Sequence, residues 1–196
     1  MAIASPFVFD PEVLHEVTRS TVGVPREEMA QTIAARVAEH YPGHVEPPSG
    51  WIFSCAGGCL YSFTVLHASL TEYLLIFGTP VGTRGHTGRH TAAIWDFVID
   101  GELWYFDESN PLEREVHGAG DAYHLPAGQS QGLAIPERAW VLEYARGFIP
   151  GLLPFGLADA INSALDYRTA YRTLAIYSKF YLPYLGRLAS GRARLG

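Results

Sequence analysis

Apolar and polar positions along the chain fall into three stretches of different period. Between Pro25 and Tyr41 the apolar residues Met29, Ile33 and Val37 recur at one-turn spacing, with Glu27 and Glu28 near the start, where the helix dipole favours acids. This spacing predicts a helix with one buried stripe. A link rich in Pro and Gly, Tyr41 to Gly50, leads into short apolar runs: Trp51 to Cys55, Leu60 to Leu66, Tyr73 to Phe77, Ile94 to Ile99 and Glu102 to Phe106. Two more runs, around Val116 to Leu125 and Trp140 to Tyr144, complete a string of short strands separated by turn residues. Asp100-Gly101 predicts a tight type I′ hairpin between the runs that flank it. Such a string reads as a small barrel or a sandwich.

From Pro150 onward strand alternation disappears. Leu152 to Leu165 and Arg168 to Leu188 read as two helices, with Pro154 and Pro183 as the main breakers. The class is therefore α+β in one domain, which 196 residues can fill. Residues 1–50 form a helical N-terminal part, 51–149 the β-structure and 150–196 a C-terminal helix pair.

Composition adds a constraint. Only 17% of residues are charged against an average of about 25%, while 48% are hydrophobic, so a lipid-sized cavity or a membrane surface must absorb much apolar area. The C-terminal helices mix Leu, Ile, Phe and Tyr with Arg168, Arg172, Lys179 and Arg187, which suits either a bilayer surface or packing on the barrel. Both readings stay open at this point. A net charge of -6 and a single lysine, Lys179, exclude nucleic acid as a partner. There is no run of eighteen apolar residues, and Met1 to Glu12 lacks the order of a signal peptide. The expected location is cytoplasmic, peripheral on a membrane if the helices touch one. Cys55 and Cys59, spaced C-A-G-G-C, match neither a redox pair nor half of a zinc site and are expected to be reduced and structural.

The chemistry points to two carboxylates in costly places. Asp96 lies inside Ile94-Trp95-Asp96-Phe97-Val98-Ile99, and Glu143 inside Trp140-Val141-Leu142-Glu143-Tyr144. An ionised carboxylate alone in such surroundings would cost several kcal/mol, so it must be paired, neutralised or used. Strand alternation puts Ile94, Asp96 and Val98 on one face and Val141, Glu143 and Ala145 on one face of the other run. If both faces line one barrel the acids meet and share a proton, and such a dyad donates a proton to an alkene or binds an ammonium ion. The structural alternative is a salt bridge from one acid to Arg84 or Arg146.

Other candidates are weaker. Gly82 to His90 resembles neither a P-loop nor a helical metal site, since glycines interrupt the His86 and His90 spacing, so a tightly turned loop with satisfied histidines is expected. No metal and no cofactor is predicted. His124 could orient or relay a proton. The rings of Phe63, Tyr73, Phe77, Trp95, Trp104, Trp140, Phe155 and Tyr177 would line a pocket that steadies a cation, or serve as core. Gly-x-Ser-x-Gly is absent, which leaves serine hydrolysis without support.

Several motifs in order carry a resemblance: Tyr41-Pro42-Gly43-His44, Leu66-His67-Ala68-Ser69-Leu70-Thr71-Glu72-Tyr73, Phe77-Gly78-Thr79, Gly85-His86-Thr87-Gly88 and the stretch Leu142 to Pro150. From about Phe7 to Leu188 the chain resembles the family of fungal sterol delta-8 to delta-7 isomerase and the sigma-one receptor. The resemblance implies a cupin-like, metal-free barrel enclosing a ligand, with two C-terminal helices that cover it and touch a membrane, and a trimeric relative. By position Asp96 and Glu143 match the acids of the sigma receptor pocket, and Tyr73 a tyrosine that holds them. Phe63, Val65, Leu75, Phe77, Ile94, His124, Leu153, Phe155 and Tyr177 fall on pocket-lining positions, and Trp140 joins them as a substrate-binding candidate. Three departures stand out. The receptor's first transmembrane helix is missing, Cys59 and Ile135 replace tryptophans, and the isomerase's acidic doublet is absent at Ala93 and Ile94.

The family is also similar to bacterial monodomain class II terpene cyclases of the merosterolic acid synthase type. Arginine and alanine in place of lysine point to a GC-rich bacterial source, where sterol pathways are uncommon. The expected function is thus acid-initiated carbocation chemistry on an isoprenoid lipid, with Asp96, Glu143 and Tyr73 as catalytic residues. Cyclisation of a polyprenyl or meroterpenoid chain comes first and sterol delta-8 to delta-7 isomerisation second; non-catalytic binding of hydrophobic amines is the rival. The expected partner is a hydrophobic isoprenoid or sterol-like molecule.

Overall fold

The computed structural model describes residues 7–189. Readings that touch residues 1–6 or 190–196, such as the start of the N-terminal segment, lie outside the described residues, as does the side chain of Arg187. Two helices come first, α1 (Pro11–Thr21) and α2 (Arg26–His40). The second matches the predicted segment. The first falls within the N-terminal part expected to be helical, though its bounds were not assigned, and its signals are local: Asp10 caps it by accepting from the Glu12 N–H, Pro11 follows, and Leu14, Val17, Thr18 and Thr21 form its buried stripe.

Nine strands follow: β1 (Ile52–Ala56), β2 (Cys59–Ala68), β3 (Glu72–Thr79), β4 (Thr83–His86), β5 (Ala93–Asp107), β6 (Glu115–Gly118), β7 (Ala122–Leu125), β8 (Gln131–Ile135) and β9 (Ala139–Arg146). Among the described residues every strand pairing is antiparallel, in the order β1-β2-β3-β9-β5-β8-β4, with β6 and β7 on β5. The ends of this path approach each other: Leu60 donates its N–H to Thr83 Oγ1 (2.8 Å), and His86 donates its N–H to Gly57 O (2.8 Å). A Cβ on Gly85 would sit 2.1 Å from Gly57 O, so glycine is what lets β4 close against the β1–β2 turn. The result is a nearly closed, cupin-like antiparallel barrel.

The predicted hairpin at Asp100-Gly101 is not a hairpin. β5 runs straight through it for 15 residues, and its register against β9 shifts between Val98 and Asp100. Gly101 has φ +83°, and a Cβ there would meet Arg138 O at 2.1 Å, while Asp100 is held by Arg26 (2.7 Å) and Arg138 (3.5 Å). The Asp-Gly pair therefore builds a bulge that bends one long strand instead of reversing the chain. β5 pairs with β7 before the bulge and with β8 and β6 after it, while its ladder to β9 continues across the bulge to Gly101. Two further differences are that the loop expected over Gly82 to His90 begins as β4 and that Val116 to Leu125 splits into β6 and β7.

The barrel wall is apolar on both faces over β3, whose eight residues are all buried. Its inner face joins Phe63, Leu75, Phe77, Val98 and Val141 in the barrel interior; its outer face packs Leu74 and Ile76 against Leu14, Ile33 and Val37 of the two helices. Each of those three helix residues is fully buried and contributes about 1.5–3 kcal/mol. Glu72 is buried on the outer side, 2% exposed, where it accepts from the N–H groups of Val8 (2.8 Å) and Phe9 (3.4 Å) and from Tyr144 OH (3.0 Å). It pins the segment before α1 to the sheet.

After a 3-10 turn, Ile149–Leu152, come α3 (Leu153–Asn162) and α4 (Tyr167–Ala189), close to the predicted pair. They cover the barrel mouth: Gly58 N–H donates to Asp159 (2.8 Å), Thr169 OH to Phe53 O (2.8 Å), and Tyr177 points into the interior cluster. The opposite face leaves Tyr167, Tyr171, Leu174 and Leu182 exposed. One face thus packs on the barrel as core, as the packing alternative expects, and the other is exposed. Among the described residues no helix is long and apolar enough to cross a membrane.

Candidate active site

Asp96 and Glu143 face each other directly across the β5–β9 ladder, both on the inner face, as alternation predicts. Each has a phenol. Tyr73 on the neighbouring β3 donates to Glu143 Oε1 at 2.6 Å, and Tyr105 on the far half of β5 donates to Asp96 Oδ2 at 2.5 Å. Asp96 Oδ1 is buried with no other donor among the described residues. It is satisfied when Glu143 carries a proton and donates it across the pair.

Burial pushes both carboxyls above the usual carboxylate range. The charge on Asp96 pushes Glu143 further, against the pull of the Tyr73 hydrogen bond. Hydrogen bonds from Tyr105 and from Glu143 draw Asp96 part of the way back down. The shared proton therefore rests on Glu143 near neutrality. Burial and the neighbouring acids hold Tyr73 and Tyr105 well above the ordinary phenol range, so both stay neutral donors. Neither arginine of the alternative reading reaches the pair: Arg146 stacks on Trp95 outside the barrel (4.6 Å), Arg84 is exposed, and among the described residues no ion pair involves Asp96 or Glu143.

The acids open onto a cavity of about 150 Å³. Phe63, Leu75, Phe77 and Ile94 wall it from the strands, and Leu153, Phe155 and Tyr177 close it from the helices, so these seven predicted residues come together with Tyr73, Asp96 and Glu143. Three predicted residues do not. His124 is exposed and stacks on Trp95 at 4.3 Å, because Trp95, its partner across β5–β7, points outward while Tyr123 and Leu125 point in. Trp140 follows the outward parity of Leu142 and Tyr144 on β9 and packs on Trp51 (ring centroids 4.9 Å). Val65 does face the interior but, beside the β2 bulge, is packed away from the cavity wall.

Sequence reasoning also missed lining residues, chiefly Tyr61, Tyr105 and Tyr123 and, at the rim, His86 and His90. For Tyr105 the signal lay in the bulge: even-numbered residues of β5 point inward up to Val98, and odd-numbered ones from Leu103 on. Cys59 lines the cavity and Cys55 lies on the other face of the β1–β2 pair; both thiols are free. Among the described residues no three His, Cys, Asp or Glu side chains stand close enough to share a metal ion.

Residues 1–185 match the sequence pattern of the family described as ERG2 and Sigma1 receptor like protein. The chain belongs to this family. The C-8 sterol isomerase of Pyricularia oryzae is 37% identical over 97% of this chain and 86% of that protein. The C-8 sterol isomerase erg2 of Aspergillus fumigatus is 38% identical over 87% of this chain and 72% of that protein. The sigma non-opioid intracellular receptor 1 of Gallus gallus is 37% identical over 88% of this chain and 78% of that protein. Solved structures that this family member is similar to include an RmlC-like cupin from Shewanella frigidimarina, at 16% identity and a TM-score of 0.44 over 53% of this chain and 89% of that one.

Proposed function

We propose that the protein is an isomerase that moves a ring double bond of a sterol from the delta-8 to the delta-7 position. The observation that carries the reading is the pair of facing acids, each held by a phenol and both pushed above the usual carboxylate range by burial, at the wall of a largely apolar cavity. Relatives of two kinds, isomerases and receptors, share most of the chain, and the isomerases favour this reading over the cyclisation placed first on sequence grounds.

The chemistry balances without a cofactor. Glu143 gives its proton to C9 of the C8=C9 bond, and a tertiary cation forms at C8. The two carboxylates would then stabilise that cation, with Phe63 and Phe77 in the wall of the same cavity. One carboxylate takes a proton from C7, the electron pair of that C–H bond forms C7=C8, and the dyad regains its single proton. Tyr73 and Tyr105 hold the carboxyls in place throughout. Helices α3 and α4 exclude water that would quench the cation. The exposed face of Tyr167, Tyr171, Leu174 and Leu182 would rest on the membrane from which such a substrate arrives.

A second reading, non-catalytic binding of hydrophobic amines, draws on the same acids, since ionised Asp96 or Glu143 can pair with an ammonium, and on the receptor relatives. Incubating the protein with a delta-8 sterol and separating isomers of equal mass decides between them. A delta-7 product is expected; amine binding without product would leave the receptor reading.

A further inference from the structure

We propose that His86 and His90 form a hydroxyl-binding subsite at the rim of the cavity, which recognises the alcohol group of a sterol-like lipid by giving it one hydrogen bond and taking another. The identity of the lipid rests on the isomerase reading; the hydrogen-bond pattern rests on the two rings themselves.

Each ring has its tautomer set by a backbone group. The Gly88 N–H donates to His86 Nδ1 at 2.9 Å, so that nitrogen bears no proton, the ring is neutral and Nε2 carries the hydrogen. In His90 the order is reversed. Its Nε2 lies 3.0 Å from the carbonyl oxygen of Thr87, which can only accept, so Nε2 is the donor and Nδ1 keeps its lone pair. Burial pushes His90 below the ordinary imidazole range, which keeps Nδ1 unprotonated at neutral pH. His86 Nε2 and His90 Nδ1 have no partner among the described residues, and both rings line the cavity.

Thr87, between them, is committed elsewhere: its hydroxyl donates to Gly88 O (3.2 Å) and accepts from the Gln131 N–H (2.9 Å). Phe155 from α3 packs edge-on against His90 at 5.0 Å, and His86 stands exposed at the mouth of the cavity. The rim thus offers one donor and one acceptor. An alcohol, which both donates and accepts, uses both. A ketone or an ether can only accept and leaves His90 Nδ1 unused, and a carboxylate would face that lone pair with its own charge. A lipid alcohol therefore fits the rim, and a lipid carboxylic acid does not.

The test compares binding of a fluorescent sterol, dehydroergosterol, with its 3-keto and 3-methyl ether forms, read by energy transfer from the protein's tryptophans. The wild-type protein is expected to hold the alcohol about fivefold more tightly than either derivative, the worth of one net hydrogen bond. His90→Phe should remove the preference for alcohol over ketone, and His86→Phe should weaken alcohol and ketone alike, while each variant still binds the ether. Equal wild-type binding of alcohol, ketone and ether overturns the subsite with no variant needed. So does a full alcohol preference in both variants. Turnover with no alcohol preference would sink the subsite and spare the isomerase; alcohol preference without a delta-7 product would do the reverse.

Discussion

Glu72 on the outer face of the sheet and Glu143 on the inner face are both carboxylates taken out of water, and their surroundings differ in who answers them. Glu72 accepts two backbone N–H groups and the Tyr144 hydroxyl. Burial still pushes it up, but each of those donors pulls it back. Glu143 has one phenol and, opposite, another acid. Every neighbour of Glu72 stabilises a fixed negative charge, whereas the neighbours of Glu143 stabilise a proton that can leave. Burial of an acid is common to structure and to chemistry; the balance of donors and charges around it separates them.

The largest effect should come from the inner pair. Glu143→Gln removes the transferable proton while its amide still accepts from Tyr73 and donates to Asp96, so isomerisation of a delta-8 sterol should fall about a thousandfold with the fold intact. Asp96→Asn should fall comparably. Full activity in both variants would remove the pair from the mechanism.

The stability of the same variants sharpens the contrast. Glu72→Ala strands two backbone donors and a phenol, and denaturation at pH 7 should show a loss of about 3 kcal/mol. Glu143→Gln should behave in the opposite way. A carboxyl whose folded value is raised contributes its stability below the ordinary carboxylate range and loses it as pH climbs through the raised value. The melting temperature of Glu143→Gln relative to wild type should therefore rise between pH 5 and pH 9. A difference that is flat with pH would mean that Glu143 is not buried as a neutral acid.

The smallest effect belongs to Tyr105→Phe. It leaves the carboxyls in place and removes one donor that holds Asp96 down, so the acid limb of the pH–rate profile should move to higher pH with turnover at its plateau reduced several-fold. An unmoved limb would show that Tyr105 only packs.

Much of this site was legible in the chain because strand alternation is a local rule. It placed Ile94, Asp96 and Val98 on one face and Val141, Glu143 and Ala145 on another, and those faces do meet. The same rule failed where the backbone inserts a residue. Asp100-Gly101 has the composition of a hairpin turn, but Arg26 and Arg138, distant in sequence, hold Asp100 in a bulge that reverses the parity of everything after it. Tyr105 was invisible for that reason. His124 and Trp140 were misplaced by a single position of parity, and each stands beside an inward residue, Tyr123 and Val141. Glu72 was passed over because its partners, Val8, Phe9 and Tyr144, are more than sixty residues away and no local pattern announces them.

The account turns on a proton that leaves Glu143 for the substrate. The most direct test is a single turnover with a delta-8 sterol after the protein has been equilibrated in D2O. The product should be a delta-7 sterol carrying one deuterium at C9, and Glu143→Gln should yield none of it. A delta-7 product without deuterium, or the same labelled product from Glu143→Gln, would contradict the claim that this acid pair performs the isomerisation.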